Sequence, residues 1–193
     1  TLQNVIIEYT AEYLVEQVCR ELNELQRASS DEELATSFLN RFALLKTQAK
    51  EYVRQSQRRL IVHPISERLT TTLGRAEVAE RLPHLLDLLR ATKVRTGYAA
   101  GNLLNLLVYL DVNLTNLDCS QLAVWQADLR GVISTAVNFT GADLTHTAFT
   151  ADIDTGKVKF LPSGELLIAG IRKGELCLWR TVAGQLSAGF RRP

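Results

Sequence analysis

The stretch VNLTNLDCSQLAVWQADLRGVISTAVNFTGADLTHTAF, residues 112–149, repeats itself every five residues. Each pentad reads as small or apolar, polar, large apolar, then two freer positions. The large apolar slot holds Leu114, Cys119, Val124, Leu129, Ser134, Phe139, Leu144 and Phe149; the slot two residues earlier holds Val112, Leu117, Leu122, Ala127, Val132, Val137, Ala142 and Thr147. A period of five fits neither the 3.6 of a helix nor the 2 of a strand, so the segment is a repeat architecture. Four pentads per square turn predict a right-handed β-coil of about two turns with both slots pointing inward. Ser134 breaks the apolar pattern and needs an acceptor if buried, since an unpaired buried hydroxyl costs roughly 1–3 kcal/mol. Such a coil has a scaffold's surface and offers no pocket.

Upstream, residues 1 to about 110 read as mostly helical. Leu2 to Tyr9 is rich in β-formers (Val5, Ile6, Ile7, Tyr9) and suggests a short strand. Thr10 then suits an N-cap, and Ala11, Leu14, Val15, Val18, Cys19, Leu22 and Leu25 make one apolar stripe at three- and four-residue steps. Ser30 and Glu33 form a capping box for a long helix with Leu34, Phe38, Phe42, Leu45, Ala49, Tyr52 and Val53 on its inner face. Pro64 predicts a stop or kink near Val62 and a restart through Ile65, Leu69 and Leu73. Val78, Leu82, Leu85, Leu86 and Leu89 form a further stripe, interrupted by Pro83. After Gly97 and Gly101, Leu103, Leu104, Leu106, Leu107 and Leu110 predict a short apolar helix that caps the coil, because a repeat stack cannot leave its terminal core facing water.

After the pentads the period becomes 2. Val158 to Leu161, Leu166 to Ile171, Leu176 to Trp179 and a weaker Gln185 to Phe190 are strand candidates, separated by the turn residues Pro162-Ser163-Gly164, Arg172-Lys173-Gly174 and Val182-Ala183-Gly184.

Composition narrows the function. A net charge of +1 supplies no general electrostatic drive toward nucleic acid or membrane, and no run approaches the ~18 to 20 apolar residues of a membrane span. No signal-peptide pattern is present, and a cytoplasmic location is expected. Cys19, Cys119 and Cys177 are widely spaced with no C-x-x-C, so buried inert thiols are expected rather than a disulfide framework or zinc site. There is no methionine and the first residue is Thr1, from which a processed or trimmed piece is expected.

Three segments in order resemble one family. TLQNVIIEYTAEYLVEQVCREL (1–22) resembles the end of the winged-helix module of bacterial STAND signalling NTPases with an NB-ARC type core. LLKTQAKEYVRQSQRRLIVHPISERL (44–69) resembles the helical segment after it, and GYAAGNLLNLLVYLDVNLTNLDCSQLAVWQADLRGV (97–132) the approach to pentapeptide repeats. VKFLPSGELLIAGIRKGELCLW (158–179) is similar to a first WD40 blade. The resemblance implies an α+β chain: an N-terminal helical domain, a short pentapeptide-repeat right-handed β-coil, and a single WD40-like antiparallel β-meander. The implied domains are a winged-helix remnant of strand plus helix (1–27), a helical domain with coil cap (28–110), the coil (111–150) and the blade (151–193). The departures are as informative. No G-x-x-x-x-G-K-[ST] is present, so no phosphate cradle is expected. Trp179 is followed by Arg180 where a blade normally has Asp, and a propeller closes with about four to eight blades.

No catalytic, cofactor or metal residues are expected. His63, His84 and His146 lie in three different segments; Glu32/Glu33 read as helix capping and Asp152/Asp154 as loop. Candidate partner contacts are Arg54, Arg58 and Arg59, a basic run at helical spacing after Lys46 and Lys50, and Trp125, which projects from the coil either to pack on the helices or to anchor a partner. The expected function is a non-enzymatic protein-interaction scaffold, the sensor-side part of a STAND-type NTPase, binding protein partners or itself through the unclosed blade, without nucleic acid, membrane or cofactor. The alternatives are a free-standing pentapeptide protein that mimics DNA and modulates a topoisomerase, and a cryptic hydrolase built on a serine or cysteine with a histidine.

Overall fold

The computed structural model describes residues 2–25, 31–92, 94, 96–130, 132 and 137–149, together with the backbone of four short strands beyond them. Among the described residues the helices are α1 (Leu2–Glu24), α2 (Asp31–Thr36), α3 (Phe38–Arg41), α4 (Glu51–Gln57), α5 (His63–Leu73), α6 (Arg75–Ala91) and α7 (Ala99–Tyr109). One π-helical turn, Arg58–Val62, joins α4 to α5.

The expected strand at Leu2 to Tyr9 is instead the start of α1. β-branched residues cost a helix only tenths of a kcal/mol each. Downstream, Val15, Val18 and Leu22 are fully buried and anchor the helix, and extension from an anchored helix adds one bond per residue fixed. The expected long helix after residue 30 is broken in three. Ser37 caps α3 by accepting the Asn40 N–H at 3.2 Å, and the Glu21 carboxylate of α1 accepts the N–H groups of Phe38 (2.8 Å) and Leu39 (2.9 Å). These partners close the first turn of a new helix, leaving Phe42 and Tyr52 exposed while Leu34, Leu39, Leu44 and Leu45 enter the core.

At Pro64 the chain neither stops nor restarts. The residue before it, His63, donates its N–H to Arg58 O, five residues back, and Pro64 falls in the first turn of α5. The wider π turn accommodates a proline that has no N–H to give. Helix α6 likewise runs unbroken through Pro83, burying Val78, Leu82, Leu85, Leu86 and Leu89. Arg75 and Arg81 of α6 reach the ends of two other helices: Arg75 donates to Leu110 O at 2.6 Å, Arg81 to Leu22 O and Asn23 O at 2.9 and 2.7 Å. Cations at helix C-termini satisfy orphan carbonyls and oppose the helix dipole.

The pentad segment turns once every five residues. Asp111, Asn116, Gln121, Gln126, Gly141 and His146 share one phase and have φ between 55° and 67°. Bridges pair Asp118 with Asn138, Ala123 with Asp143 and Asp128 with Ala148, all parallel and all twenty residues apart. Four pentads therefore make one circuit. Backbone bonds such as Cys119 N–H to Asn138 O (2.8 Å) and Val124 N–H to Asp143 O (2.8 Å) tie one circuit to the next. Leu114, Cys119, Val124, Leu129 and Phe139 are buried in the central slot, Leu122, Ala127 and Val137 in the flanking one. The polar slot caps the turns: Asn113, Asp118, Asn138 and Asp143 each accept the N–H two residues on at 2.9–3.0 Å. Ser134 lies outside the described residues.

The expected α+β class is overturned. The described residues are mostly helical, and the pentads hold no strand. A left-handed residue at each described pentad corner leaves too few extended residues per side for a ladder, so each described pairing is a single isolated bridge rather than a β-coil. Beyond the pentads only the backbone of Val158–Phe160, Leu166–Arg172, Glu175–Val182 and Gln185–Ser187 is described, bonded antiparallel in chain order. These segments contribute no described side chain to a core, so the expected WD40-like blade is not part of the described core. One apolar cluster runs from Val15 of α1 through Leu107 of α7 to Phe139 of the pentads.

Candidate functional site

The seam between the helices and the pentads concentrates the buried polar groups. Helix α7 reads AAGNLLNLLVY, and Asn102 and Asn105 interrupt its apolar run three residues apart, on one face. Asn102 donates to Leu39 O and Phe42 O, both at 2.7 Å, and accepts the Leu44 N–H at 2.9 Å, so it fastens the loop after α3. Asn105 donates to Gln126 O at 2.9 Å and accepts the Asp128 N–H at 2.7 Å, taking the place of a neighbouring strand beside the pentads. Gly101, one turn before Asn105, lets α7 approach closely: a Cβ there would stand 1.8 Å from Trp125 O.

From the other side Thr47 donates its N–H to Gln126 Oε1 at 2.7 Å, and its hydroxyl bonds Gln126 and His146 O. Asp128, 4% exposed, receives Arg58 Nη2 at 2.6 Å and Arg130 Nε and Nη2 at 2.5 and 2.6 Å. Burial pushes the Asp128 carboxyl up, but the bonds and charge of Arg130 and the charge of Arg58 outweigh it and hold the group below its ordinary value.

Of the sequence-derived candidates, Arg58 and Trp125 reach this seam. Arg58 spans it through Asp128. Arg54 bonds Ala49 O at 2.6 Å and pairs with Glu51, within its own helix and the turn before it. Arg59 is exposed. Trp125 is half-buried, donates its indole N–H to Asp143 Oδ2 at 2.7 Å and meets the Tyr98 ring edge-on at 5.6 Å. Thr47, Gly101, Asn102, Asn105 and Asp128 were not singled out from sequence. The two asparagines inside an otherwise apolar helix were the available signal.

The structure gathers no histidine-based site from its described residues. His63 Nδ1 lies 2.9 Å from the Tyr109 hydroxyl, His84 is exposed on α6, and His146 sits at a pentad corner. Cys19 and Cys119 are free and buried; burial raises both thiols, Cys119 to about 12. Among the described residues no group of three or more His, Cys, Asp or Glu could hold a metal ion, and no helix is long and apolar enough to cross a membrane.

The arrangement is a helical body locked onto a repeat stack. The chain is similar to an uncharacterized WD repeat-containing protein of Nostoc sp. (strain PCC 7120 / SAG 25.82 / UTEX 2576), with 36% identity over 213 aligned positions that take in 96% of this chain. The chain spans 17% of that relative's length. No protein-family model matches the chain, and no solved structure matches it.

Proposed function

We propose that the chain is a non-enzymatic scaffold, the sensor-side part of a STAND-type signalling NTPase acting in the cytoplasm, in which helices and pentapeptide repeats form one stiff connector between other modules. The observation that carries this reading is the seam. Asn105 and Thr47, through buried polar contacts, and the half-buried Arg58–Asp128 pair join the two parts, so a displacement of the helices is passed to the repeats. Similarity to a much longer WD repeat-containing protein agrees with a module that works among other modules. The STAND assignment rests on the three-segment sequence resemblance.

A DNA-mimic reading needs acids free to imitate phosphates. Here Asp128 is paired with Arg58 and Arg130, Asp118 with Arg90, and Asp143 with Trp125 and Thr145. No observation favours it. Incubated with saturating Mg–ATP, the purified chain is expected to release no phosphate above a heat-treated control. Turnover by this chain alone would overturn the proposal.

A further inference from the structure

Between α1 and α4 lies an open groove of about 510 Å³ with an almost wholly apolar lining, including Ile7, Tyr13, Leu14, Phe42, Val53 and Ile61. Its apolar surface continues outward along α1, where Ile6, Ile7, Tyr9 and Tyr13 are 46–70% exposed. Tyr13 stands edge-on to Phe38 at 5.8 Å, and Phe38 lies 5.3 Å from Phe42, so a row of aromatic rings crosses the groove. Contiguous exposed apolar surface of this kind marks a contact site.

The rim has a definite charge. Residues 41–50, RFALLKTQAK, carry Arg41, Lys46 and Lys50, all exposed, and no acid, and the exposed Glu51 that follows them is paired with Arg54. The Arg41 guanidinium sits 5.7 Å from the Phe42 ring centroid, the Lys46 N–H bonds the groove residue Gln57 at 3.0 Å, and Lys50 immediately precedes α4, three residues before Val53. The acids of α1, Glu8, Glu12 and Glu16, fall on a different edge of that helix from Ile6, Thr10 and Tyr13 at 3.6 residues per turn. Glu12 faces Arg68 of α5 at 3.7 Å.

We propose that this groove docks an amphipathic helix of a partner protein that carries large apolar side chains on one face and acidic residues along its edge. Apolar anchors at three- and four-residue steps fill a groove of this shape, and the cationic rim selects the acidic edge. The proposal rests on the interaction-module reading only in taking the ligand to be a protein. Peptide titration and phosphate release fail independently, so the two are distinguishable.

The probes are three fluorescein-labelled helical peptides titrated against the full chain by anisotropy: Leu at three- and four-residue steps flanked by Glu, the same peptide with Lys for Glu, and the Glu peptide with Ala for Leu. The acidic Leu peptide is expected to saturate, at least about tenfold tighter than either counterpart, and to weaken with added salt. Phe42→Asp should weaken binding by at least about tenfold. Lys46→Glu with Lys50→Glu, on exposed positions that leave the fold intact, should reverse the charge preference. Equal binding of the Glu and Lys peptides, or no binding of any, overturns the proposal. So does a sedimenting dimer that Phe42→Asp dissolves, because a second copy would then cover the groove.

Discussion

At the scale of single residues, Gly101 and Asp128 set the seam. Replacing Gly101 with Ala would place a Cβ 1.8 Å from the Trp125 carbonyl oxygen, a backbone atom that yields only if α7 or the pentads move. Overpacking of this kind costs about 1–3 kcal/mol or more. Urea denaturation of Gly101→Ala should show a lower midpoint and an unfolding free energy smaller by that amount, and Gly101→Val a larger loss. Asp128 gives a pH signature. Its folded carboxyl is held below the ordinary 3.8, so its stabilising contribution is complete above that value and is lost as pH falls through the lowered folded value. Stability should therefore decline on the acid side, and Asp128→Asn should flatten that decline while costing roughly 1–3 kcal/mol at neutral pH through weakened charge-assisted bonds. Denaturation midpoints measured from pH 7 down to pH 3 on both proteins would show whether the slopes differ. A third residue-scale outcome concerns the thiols. With burial raising Cys19 and pushing Cys119 to about 12, an aromatic disulfide reagent at pH 8 should leave both unmodified until the protein is unfolded.

Among the elements, α7 carries more than its apolar pattern shows. Its leucines announced a buried capping helix, and Leu103, Leu104, Leu106 and Leu107 are indeed fully buried. Asn102 and Asn105 gave no indication of what they hold, because their partners lie at residues 39–44 and 126–128 and no local pattern connects them. Asn105→Leu keeps the helix and its size but strips partners from Gln126 O and Asp128 N–H. Each buried group left unpaired costs about 1–3 kcal/mol. Calorimetric melting should show a lowered Tm with unchanged far-UV dichroism at 20 °C. Long-range partners explain the other misread elements as well. The helix expected after residue 30 ends early because Glu21, from α1, supplies the cap that starts α3. The five-residue period was legible because it is local: the described corners Asp111, Asn116, Gln121, Gln126, Gly141 and His146 share one backbone conformation, and where an Asn or Asp caps the turn, as Asn113 and Asp118 do, it precedes the corner by a fixed offset. What the period could not reveal is that these sides are too short to count as strands.

For the whole molecule, a stack of about two circuits is short. Repeat stability is approximately a sum of nearest-neighbour terms, and here one circuit has only one neighbour. The pentads therefore depend on the helical body, and the apolar cluster that runs unbroken from Val15 to Phe139 gives both parts one core. They should unfold together. In a Trp179→Phe background, Trp125 fluorescence reports the pentads, while far-UV dichroism reports the helices that dominate the described residues. Urea transitions followed by the two probes should coincide, as a two-state unit requires. Combining Asn105→Leu with Thr47→Val removes two ties across the seam without touching the inward slots, so the fluorescence transition should then precede the helical one. Coincident midpoints in the double variant would mean that apolar packing alone couples the parts, and that the polar seam orients the repeats without stabilising them.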